Sequence, residues 1–148
     1  SGNPLTGENV GPDGFLGFFD NQVTLLSEGD YCEMFGWVKP FRLKKFSFSR
    51  TYWSRFCKNK KYNLDTNTNG GVRAFFVSDV YGKVLPMDIY PVYLFKAYLA
   101  KDIDKMEQLG IYEVVEEDVA LCEYVCPSKI DIQKIIGDGI NLMLKEMA

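Results

Sequence analysis

The chain has 148 residues, 15% of them aromatic, with 17 basic and 20 acidic side chains and a formal net charge of −3. This aromatic content is typical of a packed core and excludes a disordered chain. Because the sequence contains no histidine, imidazole bases, Ser-His and Cys-His nucleophiles and zinc sites that need a histidine ligand are excluded as well.

The N-terminal part of the chain predicts short strands separated by turns. Residues 1–17 are rich in glycine but contain neither a Gly-x-Gly-x-x-Gly nor a Walker pattern, so we interpret them as turns rather than a phosphate cradle. Four strand-like runs follow: Phe15–Phe19, Gln22–Leu26, Tyr31–Val38 and Phe41–Ser49. The sequence therefore predicts a small β-rich unit over residues 1–58.

A basic stretch overlaps the end of this unit. Between Lys39 and Lys61 there are nine basic residues and no acidic one: Lys39, Arg42, Lys44, Lys45, Arg50, Arg55, Lys58, Lys60 and Lys61. We do not expect nucleic-acid binding, because the chain is acidic overall and carries no signature of that function. A docking surface for acidic subunits or anionic headgroups and a merely solvated face both remain open.

The C-terminal half predicts helices. Residues 59–71 are polar and end in two glycines, which indicates a linker or a wide hairpin. The apolar run at residues 72–80 fits a strand or a buried helix. Signals for four helices follow. The first helix has a cap at Asp88 with Pro91 in its first turn, and the second starts at Asp102 or Asp104 and stops at Gly110. The third starts at Asp118, and the fourth has a cap at Asp131 before an apolar stripe that reaches Lys145. We therefore predict an α+β protein whose residues 72–148 form a helical domain.

Two cysteines inside this helical part define a motif. Cys122 and Cys126, with Pro127 directly after them, match the end of the run C-x2-C-x2-C-x3-C-P that holds [4Fe–4S] clusters. The two earlier ligand positions of that run are occupied by Glu116 and Val119. A carboxylate is a poor partner for this iron and an isopropyl group is no ligand. We interpret the run as a cluster-binding scaffold that has lost its cluster, with no metal bound.

A second degenerate run precedes the first. If Leu85, before Pro86, takes the last cysteine position, then Phe75, Ser78 and Tyr81 take the other three. Each run is followed by an aspartate and an apolar helical segment. In such pairs of runs the fourth cysteine ligates the cluster of the other run.

Alternatives for these residues stay open. Cys122 and Cys126, with Cys32 or Cys57, would have to supply any remaining cluster of an electron carrier; otherwise they are buried thiols in ordinary packing. Reduced thiols are expected, because the spacings fit no disulfide framework. The acidic run at residues 116–118 is better explained as a helix start than as a Na+ or Ca2+ site. Aromatic residues that could line a quinone slot, or simply fill a core, are Tyr90, Tyr93, Phe95 and Tyr98.

Several runs of the chain closely resemble one family, the A subunit of the Na+-translocating NADH:quinone reductase. They are Asn21–Gly29, Phe35–Trp37, Val84–Pro91, Met106–Asp118 and Ala120–Lys129. The related C subunit of the Rnf electron-transport complex keeps all its cysteines, so their loss favours the quinone-reductase branch. Members of the family are much longer than this chain, and the resemblance therefore implies a C-terminal piece of such a protein.

The resemblance implies a fold and a role. The β-rich unit would be part of a soluble-ligand-binding β-grasp domain, followed by a ferredoxin-type helical domain without a cluster. The complex would carry electrons from NADH to quinone and Na+ across the bacterial inner membrane, using NADH, flavins, an iron–sulfur centre and quinone. The chain itself would be peripheral on the cytoplasmic face, with no transmembrane segment, no catalytic residue and no cofactor of its own. Its partners would be the other subunits, with quinone as a further possibility; an electron carrier of Rnf type and a regulatory ligand-binding module are the alternatives.

Overall fold

A computed structural model describes residues 1–31, 33–36, 38–39, 41, 43, 45–50, 52–57, 61–71, 73–75 and 79–147. The chain forms two compact units. Unit 1 combines Ser1–Thr24 with Gly70–Ala148, and unit 2 is Leu25–Asn69. Among the described residues no helix is long and apolar enough to cross a membrane.

Unit 1 contains the α-helices that the structure describes. They are α1 (Pro91–Leu99), α2 (Ile103–Gln108), α3 (Ala120–Val125) and α4 (Ile132–Met147). Short 3-10 turns lie at Trp53–Phe56 in unit 2 and at Tyr81–Lys83, Ile111–Glu113 and Glu116–Val119 in unit 1. In unit 1, α4 packs against α1, α3 and the turn at residues 116–119, so it is the centre of the helical assembly.

The ends of the helices follow from local side-chain chemistry. Asp102 caps α2, because its carboxylate accepts a hydrogen bond from the backbone N–H of Lys105. Asp131 does the same for α4 through the N–H of Lys134 at 3.2 Å. Gly110, at φ +84, provides the left-handed residue after α2 that a β-carbon would disfavour. Three of the predicted helix boundaries are thereby confirmed.

The start of α1 differs from the prediction. Its N-cap is Tyr90, which makes no side-chain capping bond, and Pro91 is the first helical residue. The predicted cap at Asp88 is wrong because proline already has the φ that a first helical residue needs and lacks the N–H that a cap would satisfy. The helix therefore begins at the proline without a carboxylate in front of it.

The hydrophobic core lies in unit 1. Its largest fully buried side chains are Tyr81, Phe95, Leu94, Met106, Ile111, Ile132 and Ile136, together with the smaller Val114, Val119, Cys122 and Cys126. Phe95 meets two other rings edge to face, with centroids 5.9 Å from Phe75 and 6.0 Å from Tyr81. Phe75 and Tyr81 are stacked at 5.7 Å. This aromatic cluster joins the turn at residues 81–83 to α1.

The predicted β-rich unit is wrong, and with it the α+β class. In the part of the chain that the structure describes there is no strand, and Ser27 and Asp65 form an isolated parallel bridge. At two of the predicted strands there are instead turn hydrogen bonds between residues three apart. The N–H of Gly36 donates to the Glu33 carbonyl, and the N–H of Arg50 donates to the Ser47 carbonyl. A half-buried strand hides one of two neighbouring side chains. Phe18 and Phe19, however, are 94% and 95% exposed, so neither face of that run is buried.

The predicted β-grasp assignment is wrong as well, because it depended on the predicted strands. What agrees with the structure is the helical part, since the α-helices that it describes lie beyond residue 90. The predicted segments 1–58, 59–71 and 72–148 remain a prediction about how the polypeptide is organised. Of the apolar run at 72–80, residues 72 and 76–78 lie outside the described part of the chain.

Candidate functional site

Three of the four positions of the degenerate cluster run lie together in the core. The turn Glu116–Val119 continues directly into α3, which places Val119 and Cys122 one turn apart, and Cys126 follows at the end of the helix. All three side chains have no exposed area. Glu116 is different: it is exposed, and its carboxylate contacts Gly137 of α4.

Cys126 makes a specific contact with the other degenerate run. Its Sγ lies 3.1 Å from the hydroxyl of Tyr81, within a buried hydrogen bond in which either group could be the donor. Tyr81 belongs to the turn at residues 81–83 and stacks on Phe75. The sequence placed these side chains in separate runs, and their contact agrees with the rule that the fourth cysteine of one run serves the other run.

The residues that follow α3 contact the residues that precede the turn at residues 81–83. The hydroxyl of Ser128, which is fully buried, donates to the Ala74 carbonyl at 3.2 Å. The guanidinium of Arg73 donates to the Pro127 carbonyl at 3.4 Å. Lys129 lies with its aliphatic chain against Gly70, and its ammonium donates to the Tyr124 carbonyl at 3.0 Å. Four consecutive residues, 126–129, thus contact residues 70–81.

The environment of the cysteine site raises the pKa of two of its groups, Cys122 and Tyr81. Burial, followed by interaction with Cys126, raises the pKa of the Cys122 thiol to about 11. Burial and the hydrogen bond with Cys126 also raise the pKa of the Tyr81 hydroxyl well above its ordinary value. A thiol that keeps its proton is neither a nucleophile nor a good ligand at neutral pH.

The raised pKa of Cys122 predicts that stability falls at high pH. The unfolded chain would release this proton near the ordinary value of 9.0, whereas the folded chain holds it until about 11. The folded state therefore binds more protons in this interval, so the stabilisation is complete below pH 9 and is lost as the pH rises through 11. The difference corresponds to roughly 2–3 kcal/mol.

Urea unfolding between about pH 7 and pH 10.5 checks this pH dependence. Cys122→Ala should flatten the decline, leaving the part that comes from the tyrosines whose pKa is raised, Tyr81, Tyr98 and Tyr124. An unchanged slope in Cys122→Ala would show that the thiol does not hold its proton in the folded state.

The residues at the cluster positions do not fit an iron–sulfur cluster. Val119 and Leu85 present only carbon, and Phe75 and Tyr81 fill their positions with rings. Soft iron needs thiolate ligands, and Cys122 and Cys126 are the two that remain at these positions. The arrangement is a packed core that contains two thiols, and no step of a reaction is assigned to it. Ser78, the remaining position of the upstream run, lies outside the described residues.

The aromatic residues considered for a quinone slot are divided between surface and core. Tyr90 and Tyr93 are exposed, with ring centroids 6.1 Å apart, and line a groove of about 810 Å³ between α1 and α2. Phe95 is fully buried, and Tyr98 is partly buried beside Asp138. The groove is also lined by Asp102, which the sequence singled out only as a helix start, and by residues that it did not single out: Lys96, Lys105, Gln108 and Leu109. A crossing of two helices creates it, and no linear motif encodes such a crossing.

Unit 2 displays the basic stretch beside exposed aromatic rings. Lys39 pairs with Glu33 at 3.0 Å, and the ammonium of Lys45 lies 5.0 Å from the ring centroid of Tyr31. Exposed rings contact one another, with Phe41 at 4.9 Å and Phe56 at 6.4 Å from Trp53. Arg42, Lys44, Lys58 and Lys60 lie outside the described residues, as does Cys32, whereas Cys57 is an exposed thiol in this unit.

Comparison with curated proteins gives a consistent result. The chain is 40% identical to the A subunit of the Na(+)-translocating NADH-quinone reductase of Rhodopirellula baltica, over 99% of the chain and 32% of that protein. It is 46% identical to the corresponding protein of Klebsiella pneumoniae over 88% of the chain and 29% of that protein, and 40% identical to that of Vibrio atlanticus over 99% and 33%. No protein-family model matches the chain. The chain spans about a third of the length of these relatives, and over that third it belongs to the family of the A subunit of the Na(+)-translocating NADH-quinone reductase.

Proposed function

We propose that this chain is an architectural part of a Na+-pumping NADH:quinone oxidoreductase, an oxidoreductase and ion translocase. In this proposal it is peripheral on the cytoplasmic face of the bacterial inner membrane and contacts other subunits of the complex. NADH, flavins, an iron–sulfur centre and quinone serve the complex, and the chain itself holds none of the first three. The relatives' name supports membership, because a protein named as one subunit of a reductase works with further subunits.

The observation that carries the architectural role is the filled core at the cluster positions. Val119, Cys122 and Cys126 are fully buried, and this burial raises the pKa of the Cys122 thiol further above neutral pH. Redox chemistry needs a bound group with ligands, and these positions supply packing instead. The exposed basic and aromatic side chains of unit 2 are the surface proposed for docking, because charge and aromatic rings favour association with acidic partners.

A chimaera tests the docking role. The matching third of the Klebsiella relative is replaced by this chain, and the complex is purified through a tag on another subunit. Lys39→Glu, Arg50→Glu and Arg55→Glu together should lower the amount of chimaeric protein in the complex by about tenfold or more, since attraction becomes repulsion. The matched control reverses three exposed charges of unit 1, Lys83, Lys134 and Lys145, and should leave assembly unchanged.

Equal assembly of both charge-reversed chimaeras would reject the basic stretch as a docking surface. If a charge-reversed chimaera assembles normally but its complex loses NADH-dependent quinone reduction, the architectural role is rejected, because the chain would then contribute to the reaction.

A contribution to a quinone site is the second candidate, and the groove between α1 and α2 favours it. Tyr90 and Tyr93 offer aromatic faces at its edge, and small-molecule sites combine such rings with a few polar groups. A short-chain ubiquinone should raise the melting temperature of the chain in proportion to its saturation. Tyr93→Ala should abolish the increase, whereas Tyr112→Ala, an exposed tyrosine outside the groove, should retain it. Equal shifts in both variants would place binding elsewhere.

The electron-carrier alternative requires a cluster held by Cys122 and Cys126 with Cys32 or Cys57. Iron analysis of anaerobically purified protein distinguishes it from the architectural role, since a carrier would contain iron and inorganic sulfide in stoichiometric amounts.

A further inference from the structure

We propose that the turn at Phe18 and Phe19 is an interface element of unit 1. Its partner is an apolar cleft, rimmed by basic side chains, in the remaining two thirds of a full-length subunit of this family. The chain spans about a third of the length of its relatives, so a protein of their length carries two further thirds of polypeptide. The proposal rests on family membership and not on the docking surface proposed for unit 2.

The turn places two aromatic rings where turns normally carry small or polar residues. The N–H of Asp20 donates to the Gly17 carbonyl at 3.0 Å, so Phe18 and Phe19 are the two central residues of a four-residue turn. Glycine, proline, asparagine, aspartate and serine are favoured in turns for their backbone geometry or local hydrogen bonds, and phenylalanine offers neither advantage. The two rings contact each other edge to face, with centroids 5.0 Å apart, and both are almost fully exposed. Turn chemistry therefore does not account for them.

The turn is fixed in position by the rest of the N-terminal segment. The hydroxyl of Ser1 donates to the carboxylate of Asp20 and accepts a hydrogen bond from the N–H of Gly17 at 2.9 Å. The segment is in turn attached to α4, because the side chain of Gln133 donates to the Leu5 carbonyl at 3.0 Å. The rings are thus presented by an ordered loop, and a partner that covers them has little chain left to order, which favours association.

Further apolar side chains flank the turn. Phe15 is 88% exposed, and Leu16 and Val23 are exposed as well. Exposed apolar patches with a polar rim mark interaction sites, and aromatic residues are enriched in the cores of protein interfaces. The segment from Phe15 to Val23 therefore has the composition of an interface rather than of a solvated loop.

The charge of this segment distinguishes between the possible occupants. Residues 1–24 contain three acidic side chains, Glu8, Asp13 and Asp20, and no basic one. Anionic lipid headgroups would repel them. A second copy docked through the same turn would bring like carboxylates together, because a two-fold interface pairs each patch with itself. The rest of the polypeptide is favoured instead, since covalent connection gives it a high effective concentration, and a basic rim would complement the acidic side chains.

The same double substitution, measured in two contexts, tests this proposal. Phe18→Ser with Phe19→Ser should leave the urea midpoint of the chain by itself unchanged, because both rings are in solvent there. In a chimaera in which this chain replaces the matching third of the Vibrio atlanticus relative, the same change should lower the melting temperature by several degrees, because buried rings are lost. Tyr112→Ser removes an exposed ring elsewhere in unit 1 and should be neutral in both contexts.

Two outcomes of this comparison would overturn the proposal. A loss of stability in the chain by itself that equals the loss in the chimaera would show that the rings pack within this chain. An unchanged melting temperature of the chimaera would show that the turn remains in solvent in the full-length protein.

Photocrosslinking identifies the occupant. The photoreactive residue p-benzoylphenylalanine is placed at position 18 of the chimaera or, as the matched control, at position 112, and membranes are irradiated before the chimaera is purified through its own tag. Mass spectrometry should locate the crosslink in the relative's own two thirds, with a yield several-fold above the control. Crosslinks mainly to a second copy, to another subunit or to phospholipid, or a yield no higher than the control, would contradict the proposal. The docking test changes residues of unit 2, so its failure is distinguishable from failure here.

Discussion

Phe95→Ala should destabilise the chain by about 3–5 kcal/mol, the range for removing a fully buried ring. Phe95 has no exposed area and meets both Phe75 and Tyr81 edge to face, at centroid distances of 5.9 and 6.0 Å. Its loss leaves a cavity between α1 and the turn at residues 81–83, and the stacked rings lose the edge that fixes their position. Urea unfolding followed by far-ultraviolet circular dichroism measures the effect.

Tyr93→Ala is the matched control for Phe95→Ala. Tyr93 lies two residues earlier in the same helix and is 58% exposed, so its removal should change the free energy of unfolding by no more than about 0.5 kcal/mol. Similar losses in the two variants would show that α1 does not bury the face assigned to it. A loss in Phe95→Ala that is much smaller than expected would show that neighbouring side chains refill the space.

Val119→Asp should be at least as damaging, with a cost of about 3–5 kcal/mol or more at neutral pH. Val119 is fully buried beside Cys122, in a core where the thiol already stays protonated. An aspartate of similar volume would bring an unpaired charge into that space. The loss should become smaller as the pH falls and the introduced carboxyl takes up a proton, which denaturant titrations at several pH values measure.

Two further substitutions make the result for Val119 specific. Val115→Asp introduces the same group four residues earlier, at a side chain that is half exposed, and should cost only what repulsion from the neighbouring acidic residues causes. Glu116→Gln tests the exposed position of the same run and should be nearly neutral. A cost at Val115 equal to that at Val119 would indicate that the turn, rather than the buried position, is sensitive.

The helical half could be predicted because its signals are local. Asp102, Gly110 and Asp131 act on backbone groups within three residues of themselves, so their positions in the sequence were sufficient to place one end of α4 and both ends of α2. The sequence left open whether Cys122 and Cys126 are buried thiols in ordinary packing, and both side chains are fully buried. Asp88 failed because a proline three residues later supplied a better start.

The strands and the cysteine contact could not be obtained in this way. A run such as Phe15–Phe19 has strand-like composition, but a strand also needs a partner for its backbone groups, and composition does not provide one. The Tyr81–Cys126 contact joins residues 45 positions apart, and the two degenerate runs do not specify which of their side chains touch. The groove between α1 and α2 likewise depends on how two helices cross. Long-range geometry, rather than residue type, decided all three.

Unit 1 is assembled from two separate stretches of chain, Ser1–Thr24 and Gly70–Ala148, joined within it by contacts such as that from the Gln133 side chain to the Leu5 carbonyl at 3.0 Å. Its formation therefore closes a loop that contains the whole of Leu25–Asn69. The entropy of closure grows only with the logarithm of loop length, so even a doubling costs about 0.6 kcal/mol. Changes of length in the inserted segment should therefore have little effect on the free energy of folding of the helices, so the helical scaffold tolerates a lengthened or shortened segment between its two stretches.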